Sequence, residues 1–322
     1  MFISNIQKTV IIDSKSNNLN SAPICIFDAT DKIGLFAYLR RVTEFLYYCD
    51  NMGFRAYIKW TNSDYIDHNI KHTDNPFEYF YKQPSLIEET KIDDGCLVRY
   101  APGKLTMARS FISDNLYNPD KEFIIKMGAI QSKYLILQNN VAAIIDKFIS
   151  TNAIDETTLG VHIRGTDFRK VYKHHPIFVE PRDYFPYIEK AMRENHFTRI
   201  FLATDDENIL NEFLEHYSAI EVLYLKSTSR GNGVLGIHKA AAFNDDISQY
   251  GEAINALCDV YSLASCGGII SGLSHVSMFA RIIKAGKKEA YSFDSIINKG
   301  VHKSGINATT EKFKEERVDE VK

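Results

Sequence analysis

Polar residues that suit an anion stand directly after an apolar run in the second half of the chain. The run Thr158–Ile163 leads into the segment Arg164–Asp167. Arginine carries a fixed, forked charge that can bond two oxygens of a phosphate or carboxylate, and a following glycine lets a ligand approach the backbone. Alternation along a strand puts His162 and Arg164 on one face. An equally weighted alternative is a buried Arg164–Asp167 ion pair that holds the loop.

Two further apolar runs of the second half also end in polar residues. Thr204, Asp205 and Asp206 follow one run, and Ser271, Ser274 and His275 follow the other. Hydroxyls and backbone amides at a helix N-terminus favour a phosphate. The same residue types are ordinary helix caps. Capping is the favoured interpretation at Asp205 and Asp206, whereas the two interpretations weigh equally at Ser274.

Two other patterns are weaker indications of chemistry. The segment Gly231–Gly236 matches GxGxxG, but loop residues separate it from the preceding strand, so a dinucleotide site is not favoured. His174, His175 and Glu180 lack metal-ligand spacing and are interpreted as a solvated loop, with Glu180 before Pro181 suited to a helix cap. No metal site is predicted.

Apolar periodicity predicts the elements that position these residues. In the second half, strands over 158–163, 199–204, 220–225 and 268–271 alternate with helices over 182–195, 207–217, 252–265 and 276–284. Ligands gather at the carboxyl ends of the strands in such doubly wound α/β sheets. The sequence therefore predicts one polar site at one edge of this sheet.

The first half begins with a similar strand–helix–strand pattern. A strand over 24–27, a helix over 35–51 that Gly53 ends, and a strand over 54–60 favour a parallel sheet. Loops and short helices are predicted for 61–120 and helix for 121–150. The polar stretch 150–158 then predicts a division into an N-terminal domain, 1–155, a C-terminal domain, 156–300, and a charged tail, 301–322.

Length and composition limit the class of protein. The 322 residues correspond to about two domains, and 45% hydrophobic with 25% charged residues argues against wholesale disorder. The 38 basic and 41 acidic residues give a net charge of -3, which argues against a nucleic-acid partner. The 5 cysteines are dispersed without a CxxC pair, as in proteins that keep reduced thiols.

The sequence also bears on whether the chain has a signal peptide or a membrane span. The N-terminus lacks the pattern of a signal peptide, and no apolar stretch is long enough to span a membrane. We therefore expect a cytoplasmic protein without a spanning segment, and peripheral membrane contact is left open.

Three motifs in order resemble those of the α1,6-fucosyltransferase and nodulation-fucosyltransferase group. Thr158–Asp167 resembles its first motif, a strand that ends in His-x-Arg-x-Thr-Asp. Arg199–Asn208 resembles the second, which ends in Ala-Thr-Asp-Asp, and Ile254–Ala280 resembles the third, with Asp259 inside a helix. Gly236–His238 is similar to a Gly-Leu-His segment that lies between the second and third motifs.

This resemblance implies a GT-B-like α/β fold, in which two Rossmann-like domains face a cleft. It implies an inverting, metal-independent transfer of L-fucose from GDP-fucose to a carbohydrate acceptor, with the nucleotide sugar as substrate and no cofactor. Arg164 would hold the pyrophosphate. The other donor-binding residues that the resemblance implies are His162, Thr204, Asp205, Asp206, His238, Asp259, Ser274 and His275.

The chain departs from the group's pattern at two places. Gly165 stands where the α1,6 branch has a second arginine, and Phe168–Tyr172 stands where that branch has a glutamate suited to act as base. The base is therefore predicted among Asp167, His174 and His175, or in the first half, and the acceptor is left open. Two alternatives remain: a GT-B transferase for another nucleotide sugar, and a non-catalytic protein that binds a nucleotide or glycan on the same scaffold.

Overall fold

The computed structural model describes residues 11–13, 24–28, 34–60, 63, 65–67, 69–70, 73–85, 97–100, 120–231 and 248–305. The first half holds strands β1 (Ile11–Asp13), β2 (Ile24–Asp28), β3 (Arg55–Lys59) and β4 (Leu97–Tyr100), with helices α1 (Leu35–Met52) and α2 (Pro76–Phe80). The strand order is β1-β4-β2-β3. β2 runs parallel to both β3 and β4, and β1 is antiparallel to β4.

The second half follows two helices that connect it to the first. These are α3 (Lys121–Tyr134) and α4 (Asn139–Thr151). The elements after them are β5 (Thr158–Ile163), α5 (Pro181–Asn195), β6 (Arg199–Thr204), α6 (Glu207–His216), β7 (Glu221–Leu223), α7 (Gln249–Ser265), β8 (Gly268–Gly272), α8 (His275–Gly286) and β9 (Phe293–Ile297). The strand order is β7-β6-β5-β8-β9, and every neighbouring pair is parallel.

The central strands of the second sheet are buried, as is typical of a parallel sheet. Every residue of β5 is buried, and β6 is buried beyond its first residue. Helices cover both faces of a parallel sheet, so its central strands are apolar without alternation. The polar residues of these segments are consequently confined to the strand ends, where β5, β6 and β8 leave the sheet side by side.

The two halves share a core through their helices. Leu35, Leu39 and Val42 of α1 belong to the same buried apolar cluster as Phe279 of α8. The rings of Phe36 and Phe279 lie 5.7 Å apart. α3 and α8 meet at two glycines, because a Cβ on Gly128 would lie 2.6 Å from the backbone nitrogen of Gly286.

The structure confirms the predicted α/β class, with a four-stranded sheet in the first half and a five-stranded sheet in the second. Gly53 ends α1 in the left-handed conformation at φ 67°, as predicted. The predicted strand over 220–225 is shorter, Glu221–Leu223, and the predicted helical region 121–150 is two helices. β1, β4 and β9 have no counterpart among the predicted elements, and the prediction of only loops and short helices for 61–120 is wrong at β4, which pairs with β1 and β2. His238 and the charged stretch after 305 lie outside the described residues.

Candidate active site

Three of the predicted site segments meet at the carboxyl edge of the second sheet. Register pairs His162 of β5 with Ala203 of β6 on one side and with Ser271 of β8 on the other. Arg164, which follows β5, therefore lies next to the residues that follow β6 and β8. The sequence prediction that these strand ends come together is confirmed.

Asp205 holds the segment that follows β5. Its Oδ2 lies 2.5 Å from Nη1 of Arg164, its Oδ1 accepts a hydrogen bond of 2.7 Å from the N–H of Gly165, and its Oδ2 accepts one of 2.7 Å from the hydroxyl of Thr166. Thr166 is fully buried and has a positive φ of 25°, a strained value for threonine that these contacts maintain. The described carboxylate partner of Arg164 is thus Asp205, which holds this segment and does not cap α6, so the favoured interpretation of Asp205 as a helix cap is wrong.

Asp206 has a different set of contacts from its neighbour. Its Oδ1 accepts hydrogen bonds from the N–H groups of Asn208 and Ile209, so it caps α6 as the favoured interpretation predicts. Its Oδ2 lies 3.4 Å from Nε of Arg169. A Cβ on Gly165 would overlap the Cβ of Asp206 and lie 2.8 Å from its Oδ2. Only glycine fits beside Asp206.

His162 is a buried, neutral imidazole. Its Nδ1 lies 3.3 Å from Oγ of Ser274, and Ser274 in turn caps α8 by accepting a hydrogen bond of 3.1 Å from the N–H of Ser277. Burial lowers the pKa of His162 to about 3, and the charges of Arg164 and Arg281 lower it in the same direction. The side chain therefore supports the start of α8 without adding charge.

Arg281 is a buried supporting residue that sequence analysis did not single out. Its Nη2 lies 2.6 Å from Oδ1 of Asp294 on β9, and its Nη1 donates a hydrogen bond of 3.0 Å to the hydroxyl of Ser271. These contacts join α8, β8 and β9 next to His162. An arginine inside the apolar helix run before Lys284 was the signal that marks it in the sequence.

Asp259 is a buried carboxyl group on α7 with an unsatisfied oxygen. Its Oδ1 is shielded from solvent and has no hydrogen-bond partner. Burial raises the pKa of Asp259 to about 8; the positive charge of Arg230 opposes this rise, whereas Glu252 and Asp205 add to it. A buried acceptor without a donor carries a free-energy cost, which a ligand that offers N–H donors would remove.

Groups from both halves act electrostatically on the first residue of α8. His275 is partly buried, and burial lowers its pKa to about 3. The positive groups that lower this pKa further are Arg40, Arg41, His175 and Arg164. Arg40 and Arg41 lie on α1, in the first half. Sequence analysis missed both, because nothing in the local pattern of α1 shows that it packs against α8.

The predicted base candidates have different surroundings in the structure. His174 is exposed with φ 67°, whereas the ring of His175 lies 5.1 Å from that of Tyr172. Backbone hydrogen bonds fasten this loop to the segment after β9, from His174 N–H to His302 O and from His302 N–H to His175 O. Asp167 lies in the short helical turn Thr166–Arg169.

Further observations concern a helix cap, the cysteines, metal ligands and membrane spans. Glu180 stands at the N-cap of α5, as predicted, and Asp183 accepts a hydrogen bond of 3.1 Å from its backbone N–H. Cys25, Cys49, Cys258 and Cys266 are buried free thiols. Among the described residues, no three His, Cys, Asp or Glu side chains form a group that could hold a metal ion. Of the helices in the part that the structure describes, none is both long and apolar enough to cross a membrane.

Comparison with known proteins gives structural neighbours. No protein-family model and no curated protein matches the chain. It is similar to NodZ α1,6-fucosyltransferase soaked with GDP-fucose, with a TM-score of 0.47, 14% identity, and 82% of this chain and 93% of that chain covered. It is similar to fucosyltransferase NodZ from Bradyrhizobium, with a TM-score of 0.43, 15% identity, and 82% of this chain and 92% of that chain covered. It is also similar to POFUT1 in complex with GDP-fucose, with a TM-score of 0.48, 11% identity, and 89% of this chain and 100% of that chain covered. Fucosyltransferases are thus among the solved structures to which the chain is similar.

Proposed function

We propose that this chain is a glycosyltransferase that moves L-fucose from GDP-fucose to a carbohydrate acceptor. The observation that carries the proposal is the guanidinium of Arg164. It stands at the carboxyl end of the central strand, is oriented by Asp205 at 2.5 Å, and keeps 24% of its side chain exposed. A donor group aimed in advance at developing negative charge stabilises the departure of a nucleoside diphosphate.

The start of α8 provides the second part of the proposed donor site. The first N–H groups of a helix have no partner within the helix and favour a phosphate. Ser274 caps the N–H of Ser277, so the amides before it remain for a ligand. Neutral His162 and His275 flank this helix end, and the motif resemblance assigns both to donor binding.

Asp259 is proposed to bind the base of the nucleotide. Guanine presents two neighbouring N–H donors on one edge, N1–H and the N2 amino group. The carboxyl group of Asp259 accepts both once it is ionised, and hydrogen bonds from these donors favour the ionised form. The unsatisfied Oδ1 of Asp259 supports this role, because it lacks the donor that a buried carboxyl group needs. Uracil and adenine do not offer this pair of donors, so Asp259 would favour GDP over UDP and ADP.

The proposed reaction is a single displacement with inversion and without a metal ion. The acceptor hydroxyl attacks C1 of fucose, the bond from C1 to the diphosphate oxygen breaks, and its electron pair leaves with GDP. The hydroxyl proton passes to a base on the face opposite GDP. GDP-β-L-fucose would give an α-linked product. In this proposal, residues 1–155 bind the acceptor, residues 156–300 bind the donor, and the enzyme acts in the cytoplasm.

Nucleotide binding followed by turnover tests the proposal. Thermal shifts with GDP, UDP and ADP should show stabilisation by GDP, and a panel of glycan acceptors should release GDP from GDP-fucose in the presence of EDTA. A preference for UDP would instead favour a transferase for another nucleotide sugar. GDP binding without release on any acceptor or water would favour a non-catalytic binding protein. Activity that EDTA removes and Mg²⁺ or Mn²⁺ restores would contradict the metal-free mechanism.

A further inference from the structure

Arg40 is a largely buried arginine, and two nitrogens of its guanidinium have no hydrogen-bond acceptor. Its side chain is 11% exposed, and its Nε and Nη1 are shielded from solvent without a hydrogen-bond acceptor. Within the described residues, its ion pair is with Glu44, one helical turn further along α1, at a distance of 3.8 Å. That separation is longer than a hydrogen bond. Buried N–H donors without acceptors are rare in folded proteins and indicate a missing partner.

Glu44 does not fill that role. Its side chain is 4% exposed, and its Oε1 also lacks a hydrogen-bond partner. Burial raises the pKa of Glu44 to about 7, although Arg40 and Arg41 lower it. Near neutral pH the carboxyl group is thus only partly ionised and leaves much of the charge of Arg40 unbalanced.

The position of Arg40 relates it to the proposed donor site. α1 packs against α8 through the rings of Phe36 and Phe279, 5.7 Å apart. The charges of Arg40 and of Arg164 both act on His275, at the N-terminus of α8. Cations from the two halves of the chain therefore converge on the same helix end.

A diphosphate at the donor site would gain from a cation beyond Arg164. Asp205 pairs with Arg164 at 2.5 Å, and His162 and His275 both have pKa values near 3 and are neutral at physiological pH. Residue 165 cannot supply a further side chain, because a Cβ there would overlap Asp206.

We propose that Arg40 binds the diphosphate of the nucleotide sugar, as a second cationic ligand that the first half of the chain contributes, with the carboxyl group of Glu44 as a competitor for its charge. This inference rests on the proposed function, since it names a further residue of the same donor site. Binding of the diphosphate then joins the two halves, because one guanidinium comes from α1 and the other follows β5.

Titration of the full chain with GDP and with inorganic pyrophosphate tests the inference. Arg40→Met keeps the apolar stem and removes the charge, so it should weaken binding of both anions by about tenfold or more. Glu44→Gln removes the competing carboxylate and should strengthen pyrophosphate binding. A merely structural pair would not give these opposite effects. Arg182→Ala is the control, because Arg182 is an exposed arginine on α5 that pairs with Glu212.

The outcomes separate this inference from the proposed function. If the wild-type chain binds GDP and Arg40→Met binds it equally well while its urea midpoint shows a folded protein, the role of Arg40 is wrong and the proposed function stands. If pyrophosphate binds through Arg40 but GDP shows no advantage over UDP or ADP, the anion site stands and the GDP-fucose assignment fails. If the wild-type chain binds neither GDP nor pyrophosphate, both are overturned.

Discussion

The carboxylate of Asp205 lies 2.5 Å from Nη1 of Arg164 and also accepts hydrogen bonds from the two residues that follow that arginine. One side chain at the end of β6 thus holds a continuous segment at the end of β5. The pair reduces the net charge of the guanidinium but fixes its direction. The contribution of Arg164 is therefore expected to depend on its forked geometry more than on its charge alone.

Arg164→Ala should lower kcat by about 10²–10³-fold, because it removes a preorganised donor to the leaving diphosphate. Arg164→Lys should lose most of the activity as well, since a point charge does not reproduce two parallel N–H donors. Rates of GDP release from GDP-fucose measure both variants, with urea midpoints to show that they are folded. Arg182→Ala serves as the control, and a near-normal kcat for Arg164→Ala would refute the assignment.

Gly165→Ala should destabilise the fold by about 1–3 kcal/mol, the usual cost of an overpacked site. The added Cβ would overlap Asp206, whose carboxylate caps α6 and therefore has little freedom to move. Urea unfolding measures the effect. Gly251→Ala in α7 is the matched control, because its nearest neighbour, Ser248 Cβ, is 4.0 Å away; it should be neutral or stabilising. Equal stability of the two variants would contradict the overlap.

Asp259→Asn should increase stability near neutral pH and weaken GDP binding. The folded carboxyl group has a pKa of about 8 against an ordinary value of 3.8, so between these pH values the folded state keeps a proton that the unfolded state loses. Stability of the wild-type chain therefore falls as pH rises through this window, whereas asparagine has no proton to lose. The difference between variant and wild type should be near zero at pH 4 and exceed about 1 kcal/mol at pH 8.

Calorimetric GDP titrations complete that test. Asparagine presents an N–H donor where guanine needs an acceptor, so the more stable variant should bind GDP less tightly than the wild type. A stability difference that does not change with pH would contradict the buried, protonated carboxyl group. Unchanged GDP affinity would contradict the role of Asp259 in base recognition.

His175→Ala should lower turnover with little change in GDP affinity, whereas His174→Ala should change neither. His175 acts electrostatically on His275 at the proposed donor site, whereas His174 is exposed to solvent. Histidine titrates near neutrality and suits the transfer of the acceptor proton. Asp167→Ala and Glu180→Ala complete the set. Normal turnover in all of these variants would locate the base in the first half or remove the need for one.

Much of the second half could be predicted from the sequence because its strands are buried on both faces. Such strands are continuous apolar runs, and the polar residues that end them mark the edge where ligands bind. The prediction that Asp206 is a cap was likewise correct. The sequence could not assign Asp205 to Arg164, because adjacent acidic residues carry no local sign of which one turns toward the neighbouring strand.

The residues that sequence analysis missed depend on contacts between distant segments. Arg40 and Arg41 lie on an amphipathic helix whose partner, α8, comes more than two hundred residues later in the chain. β9 joins the sheet only as an edge strand beside β8, and its short segment, Phe293–Ile297, mixes charged and apolar residues. Neither α1 nor β9 carries a pattern in its own segment that identifies the element it packs against.

The contact of Gly128 with Gly286 has a consequence for how this sequence can diverge. A methyl group at either position would meet the backbone of the other helix at 2.6 Å, and a backbone atom cannot be exchanged for a smaller one. A substitution at one position therefore cannot be rescued by a second substitution at the other. Relatives that keep α3 against α8 in this way should retain both glycines after most other similarity has been lost, so the pair serves as a marker for identifying them.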